Sequence, residues 1–209
     1  MTVLQALLAF SAAAALLTLT PGLDTAIVLR TAAVEGPRRA ALAALGVIAG
    51  CLVWGAAVAL GLGVLLQASA LAFSLIKWAG AAYLLWLGVG LILKPRDRFQ
   101  LSAPAGPLGS SDLAWMRRGF LTNLLNPKVG VFYISFLPQF LPAGVAAGPF
   151  IFLLAALHAA MGLGWFAVLI AATRPVADVL QRAAVVRWLD RLTGGVFVAF
   201  GVRLALERR

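Results

Sequence analysis

The sequence predicts an all-α integral membrane protein with six transmembrane helices, arranged as two inverted three-helix repeats. Three observations carry this. The chain is 63% hydrophobic and 11% charged, with a mean hydropathy of +1.00, whereas soluble domains carry about 25% charged residues. The apolar residues fall in six runs near the length of a bilayer crossing: 3–33 with a break, 40–66, 70–93, 119–141, 148–173 and 185–206. The first and fourth runs are each interrupted by a polar proline motif, Thr18-Leu-Thr-Pro-Gly-Leu-Asp24 and Thr122-Asn-Leu-Leu-Asn-Pro-Lys128. Interrupted segments at corresponding places in two halves point to a repeat. Three spans per half is an odd number, so the second half enters the membrane from the opposite side. One transporter domain, 1–209, follows: repeat 1 over about 1–93, a linker over about 94–116 and repeat 2 over about 117–209.

In chain order, the first run is too long for one perpendicular crossing. About 31 helical residues reach roughly 46 Å against a hydrocarbon core near 30 Å, so the run must tilt, kink or project. Met1 to Gln5 carry no charge and therefore no basic signal-peptide region, and the apolar run continues past the small residues Ala12 to Ala15. A retained helix is expected. The second run holds Gly46 and Gly50, and the third Gly80, Gly88 and Gly90, small positions that permit close helix packing. Cys51 reads as a small apolar residue. Lys77, near the outer end of the third run, can snorkel to the interface. Ser111 and Asp112 can cap a helix leading into the fourth run. The sixth run contains Arg187, Asp190 and Arg191, which predicts an apolar portion starting at Leu192.

Basic residues set the orientation. Arg30, Arg38 and Arg39, then Lys94, Arg96, Arg98, Arg117 and Arg118, then Arg174, Arg182, Arg187 and Arg191 alternate with connections free of charge. The three basic loops are expected in the cytoplasm and both termini outside, with Arg208 and Arg209 against the rule. The net charge of +10 is thereby explained as loop charge, and without aromatic interleaving it does not indicate nucleic acid.

Pro21-Gly22 and Pro127 withhold backbone donors inside the membrane, so carbonyls freed there must face the bundle interior or a water-filled cavity. A plain kink, satisfied by Thr18, Thr20, Thr122 and Asn123, is the structural alternative. Asp24 and Lys128 favour function, because ionisable residues within spans mark substrate or ion paths. At 1.5 Å per residue, Asp24 lies about 9 Å inward from Arg30, and Asn123, Asn126 and Lys128 about 8, 12 and 15 Å inward from Arg118. These depths put Asp24, Asn123, Asn126 and Lys128 around one cavity in the inner half of the membrane, the alternative being a static Asp24–Lys128 ion pair. Such a cavity suits a zwitterion, with helix termini for a carboxylate and a side-chain carboxylate for an ammonium, and an acid there can exchange protons. His158, the sole histidine, is a candidate proton relay or a hydrogen-bonded core residue, and Tyr83 a candidate cavity hydroxyl.

Several stretches together resemble the lysine exporter and homoserine/threonine efflux (LysE/RhtB) family of bacterial inner-membrane amino-acid exporters. They are Thr20-Pro-Gly-Leu-Asp24, Lys77-Trp-Ala-Gly-Ala-Ala-Tyr-Leu84, Arg118-Gly-Phe-Leu-Thr-Asn-Leu-Leu-Asn-Pro-Lys128, Phe136-Leu-Pro-Gln-Phe140 and Leu189-Asp-Arg-Leu-Thr-Gly194. Leu23 stands where that family carries a second proline, which predicts a softer first break. The resemblance implies export of an amino acid driven by the proton motive force, without a bound cofactor or metal. It implies an inner-membrane location with the N-terminus periplasmic, and a core of Thr20, Pro21, Gly22, Asp24, Asn126, Pro127 and Lys128. A metal-cation exporter of similar architecture is the nearest alternative, and a membrane enzyme the alternative of another class. No nucleophile–base pair or metal motif supports the latter, and a homo-oligomer stays open.

Overall fold

A computed structural model of the chain describes residues 1–68, 70–96, 111–180 and 182–206, with the side chains of 62–77, 127 and 180 excepted. The Lys77 side chain and most of the predicted linker therefore lie outside the described residues. Those described form α-helices joined by short connections, with no strand among them.

The helix α1 (Val3–Leu19) opens on a capping box: Thr2 Oγ1 accepts from the Gln5 amide, and the Gln5 side chain accepts from the Thr2 amide. It ends where Pro21 removes a donor and Gly22 is extended, and α2 (Leu23–Glu35) resumes after a bend of 51°. The excess length of the first run is thus taken up as a kink. Leu23 is the first residue of α2 and more than half exposed. That position tolerates proline without requiring it, and the bend is present with leucine there.

Next come α3 (Pro37–Ala68) and α4 (Ala70–Leu93). The helix α5 (Asp112–Leu124) starts well before the apolar run at Gly119, at the cap expected of Ser111 and Asp112, where Ser111 Oγ accepts from the Ala114 amide at 3.3 Å. After a break at Leu125–Asn126, α6 (Pro127–Phe136) passes into a 3₁₀ turn, Leu137–Phe140. Pro127 occupies the first turn of α6, where its missing amide would have no helical partner. The sequence places Pro127 inside the break, whereas Leu125 and Asn126 form it. Beyond α7 (Ala147–Ala171), a short helix α8 (Thr173–Leu180) was not anticipated. Finally α9 (Ala183–Leu206) is continuous through Arg187, Asp190 and Arg191, so the helix begins ahead of the apolar portion expected from Leu192.

By length and composition, Pro37–Gly61 and Ala147–Ala171 can each cross a bilayer, and the bent pair α1–α2 can form a third span. Their outward faces agree, since Leu4, Leu60, Trp86 and Leu153 are about half exposed or more. Such faces suit lipid and are costly in water. Inside, Phe10 meets Phe140 edge-on at 5.4 Å, Phe132 stacks on Phe136 at 4.6 Å, and Phe136 packs on Phe200 at 4.2 Å.

Glycines set the helix crossings. A Cβ on Gly46 would lie 1.9 Å from the Met116 carbonyl and one on Gly119 1.9 Å from that of Ala43, so α3 and α5 touch backbone to backbone. Gly55 against Ala155 and Gly162 against Ile48 make α3 and α7 antiparallel, as Gly88 against Gly194 does for α4 and α9.

Candidate functional site

Both breaks open onto one cavity, part of it continuous with the outside. Thr18 and Thr20 close the end of α1, their hydroxyls bonded back to the Ala14 and Leu16 carbonyls at 2.8 and 2.7 Å. Gly22 caps α2 with no side-chain bond, leaving the positive end of that helix at the cavity. Asp24, in the first turn of α2, faces the same space. From the other break come Asn126 and Lys128, the Asn126 side chain accepting from the Lys128 amide at 3.1 Å. From α3 come Val47, Ile48 and Cys51; from α7, His158, Gly162, Trp165 and Phe166.

The charged groups are held separately. Asp24 Oδ2 accepts from Asn123 Nδ2 at 2.8 Å, whereas Asp24 Oδ1 is buried with no partner. Lys128 Nζ reaches the Thr20 carbonyl at 3.4 Å. That carbonyl directly precedes Pro21, so the ammonium of one broken helix satisfies the break of the other. The ion pairs among the described residues are Arg38–Asp112, Arg39–Glu35 and Arg96–Asp190. An acid and an ammonium in one cavity, not spent on each other, can each take an opposite charge.

Of the residues anticipated, Thr20, Gly22, Asp24, Asn126, Lys128 and His158 line the cavity. Asn123 is fully buried behind Asp24 and acts through it; its amide also reaches Cys51 Sγ at 3.4 Å, and it fits because Gly50 has no Cβ. His158 Nδ1 bonds the Tyr133 hydroxyl at 2.9 Å. Pro21 shapes its break without lining the cavity, and Tyr83 packs on Trp86 at 5.5 Å, away from the cavity.

The model of the family described as LysE type translocator matches residues 15–208. The chain belongs to the LysE-type translocators. Among the relatives of this translocator, an uncharacterized membrane protein of Bacillus subtilis is 28% identical over 98% of this chain and 100% of its own. The threonine efflux protein of Escherichia coli is 31% identical over 91% of this chain and 92% of its own. The leucine efflux protein of Klebsiella pneumoniae is 32% identical, covering 95% and 93%. No solved structure matches the translocator.

Sequence reasoning set Cys51 down as a small apolar residue and gave no role to Tyr133, Gly162, Trp165 or Thr193. Helical spacing held a signal for some of them: Asn126, Val129 and Tyr133 share a face of α6, as His158, Gly162 and Trp165 share one of α7. Thr193 had none. Its hydroxyl meets that of Thr20 across 173 positions of sequence, joining α9 to the first break.

Proposed function

We propose that this translocator exports amino acids across the bacterial inner membrane by proton antiport with alternating access. The observation that carries this is the cavity between two broken helices, lined by both Asp24 and Lys128, each hydrogen-bonded to another group. An α-ammonium finds the open Asp24 Oδ1, and an α-carboxylate finds Lys128 and the bare N-terminus of α2. Asp24 takes up a proton when the substrate ammonium leaves and releases it on the other side, so a charge is not left unpaired in the membrane. The threonine and leucine efflux relatives support an amino-acid cargo.

Alternation is favoured by the packing. With each bent pair, α1–α2 and α5–α6, taken as one span, exchanging the two halves sends the α3–α5 pairing onto α1–α7 and the α4–α6 pairing onto α1–α9, and returns α3–α7 and α4–α9 to themselves. These pairings support the reading of two three-span repeats, about 1–93 and 117–209, with helices 1 and 4 broken. It fits six spans, with the basic loops cytoplasmic and the N-terminus periplasmic.

Asp24→Asn keeps the shape and removes the titrating charge. Export from cells preloaded with radiolabelled amino acids is expected to fall to background, with the variant inserted at normal levels. Normal export by Asp24→Asn would exclude Asp24 as the coupling residue.

A further inference from the structure

We propose that the cavity selects amino acids with uncharged, aliphatic side chains, and that Gly162 of α7, seated against Ile48 of α3, sets the largest side chain accepted. This rests on the amino-acid reading above and adds its substrate class. The argument is first one of charge. Of the residues lining the cavity, Asp24 is the one acid and Lys128 the one cation of the Lys/Arg type. A bound zwitterion engages both, the ammonium on Asp24 and the carboxylate on Lys128. A lysine, arginine, glutamate or aspartate side chain would then bring a third charge into a lining that holds no further Asp, Glu, Lys or Arg to neutralise it, which is expensive inside a membrane.

The wall that α3 and α7 supply is mostly apolar. Val47 and Ile48 on α3 and Gly162, Trp165 and Phe166 on α7 line it beside Cys51 and His158 of the same helices, and the charged groups come instead from the two breaks. A substrate oriented by the breaks therefore points its side chain between α3 and α7. At this seam a Cβ on Gly162 would come within 3.2 Å of Ile48 Cδ1, closer than ordinary contact, so the missing side chain is what leaves room there. Adding one methyl forces Ile48 to give by a few tenths of an ångström. Adding a branched side chain fills the space a substrate methyl would use. One methylene of mismatch in an apolar pocket changes discrimination roughly 10- to 200-fold.

The test is counterflow in proteoliposomes of the full chain, preloaded with unlabelled substrate. External alanine, threonine, valine, leucine, phenylalanine, lysine and glutamate compete in turn. For the wild type, alanine, valine and leucine are expected to compete and lysine and glutamate not. Gly162→Val is expected to weaken leucine roughly tenfold or more relative to alanine. Ile48→Ala, which enlarges the same seam without crowding the fold, should shift preference toward phenylalanine. Lysine or glutamate competing as well as leucine overturns the proposal, as does a Gly162→Val variant that lowers every substrate equally or an Ile48→Ala variant with an unchanged ranking. In each of these three cases amino-acid exchange by the wild type persists, so the transport reading survives. Absence of exchange with every amino acid in the wild type removes the transport reading and this inference together.

Discussion

Asn123 shows how a side chain with no contact to the cavity can govern the group that has one. Its amide donates to Asp24 Oδ2 at 2.8 Å and more weakly to Cys51 Sγ at 3.4 Å, from a fully buried position that a Cβ on Gly50 would invade. A hydrogen bond to a charged group contributes about 1.5–3 kcal/mol, so Asn123→Leu, close in volume but without the donor, should cut export about tenfold and displace its pH dependence. Cys51→Ala removes the weaker contact and should leave that pH dependence in place. Transport assayed across a pH series with matched expression distinguishes these outcomes, and an unmoved profile in Asn123→Leu would confine Asn123 to packing. Asp24, Asn126 and Lys128 were legible in the sequence because charge and proline stand out inside an apolar run. Trp165 and Gly162 were not, since an aromatic or a glycine in a span reads as ordinary packing until the opposite helix is known.

Glycine spacing within the helices makes a sharper prediction than composition does. Gly46 and Gly119 stand where added Cβ atoms would each meet a backbone carbonyl at 1.9 Å, so neither crossing can accept alanine without moving α3 off α5. Gly90 has nothing within 4 Å of its would-be Cβ. Gly46→Ala and Gly119→Ala should each destabilise by about 2 kcal/mol or more. Gly90→Ala should be neutral or stabilising by up to about 1 kcal/mol, because alanine is the better helix former. Thermal unfolding in detergent, followed by size-exclusion fluorescence, measures all three, and equal losses would mean the α3–α5 seam is looser than its geometry. The small-residue spacing of Gly46 and Gly50 announced a close approach; which helix arrives there depends on contacts more than 60 positions away, Gly46 to Met116, and was not readable. The early start of α5 at Asp112 is also tertiary in part, for Asp112 pairs with Arg38 at 2.6 Å while Ser111 caps the helix.

Across the whole molecule, the ends of the two halves are clasped by a pair whose Asp190 member the sequence marks as a charge ahead of the apolar portion of the sixth run. Asp190 is fully buried in α9, and Arg96, just past the end of α4, grips it through Nε at 3.0 Å, a terminal nitrogen at 2.5 Å and its own backbone amide at 3.0 Å. One turn further along α9, Thr193 meets Thr20 at the first break, and the Thr20 carbonyl in turn holds Lys128. The clasp and the cavity are therefore joined through a few residues of one helix. Removing one member of a buried pair strands the other charge, at a cost of about 3–5 kcal/mol, whereas replacing both with apolar residues is often nearly neutral. Arg96→Leu alone should consequently unfold at markedly lower temperature than the wild type, and the Arg96→Leu, Asp190→Leu double variant should recover most of that loss. Export separates stability from function here. If the pair also holds α9 in register with the break, the double variant will be stable yet transport more slowly than the wild type, because Thr193 is freed to slide past Thr20. A double variant as unstable as Arg96→Leu would show instead that the three hydrogen bonds to Asp190, and not its charge balance, hold α4 to α9.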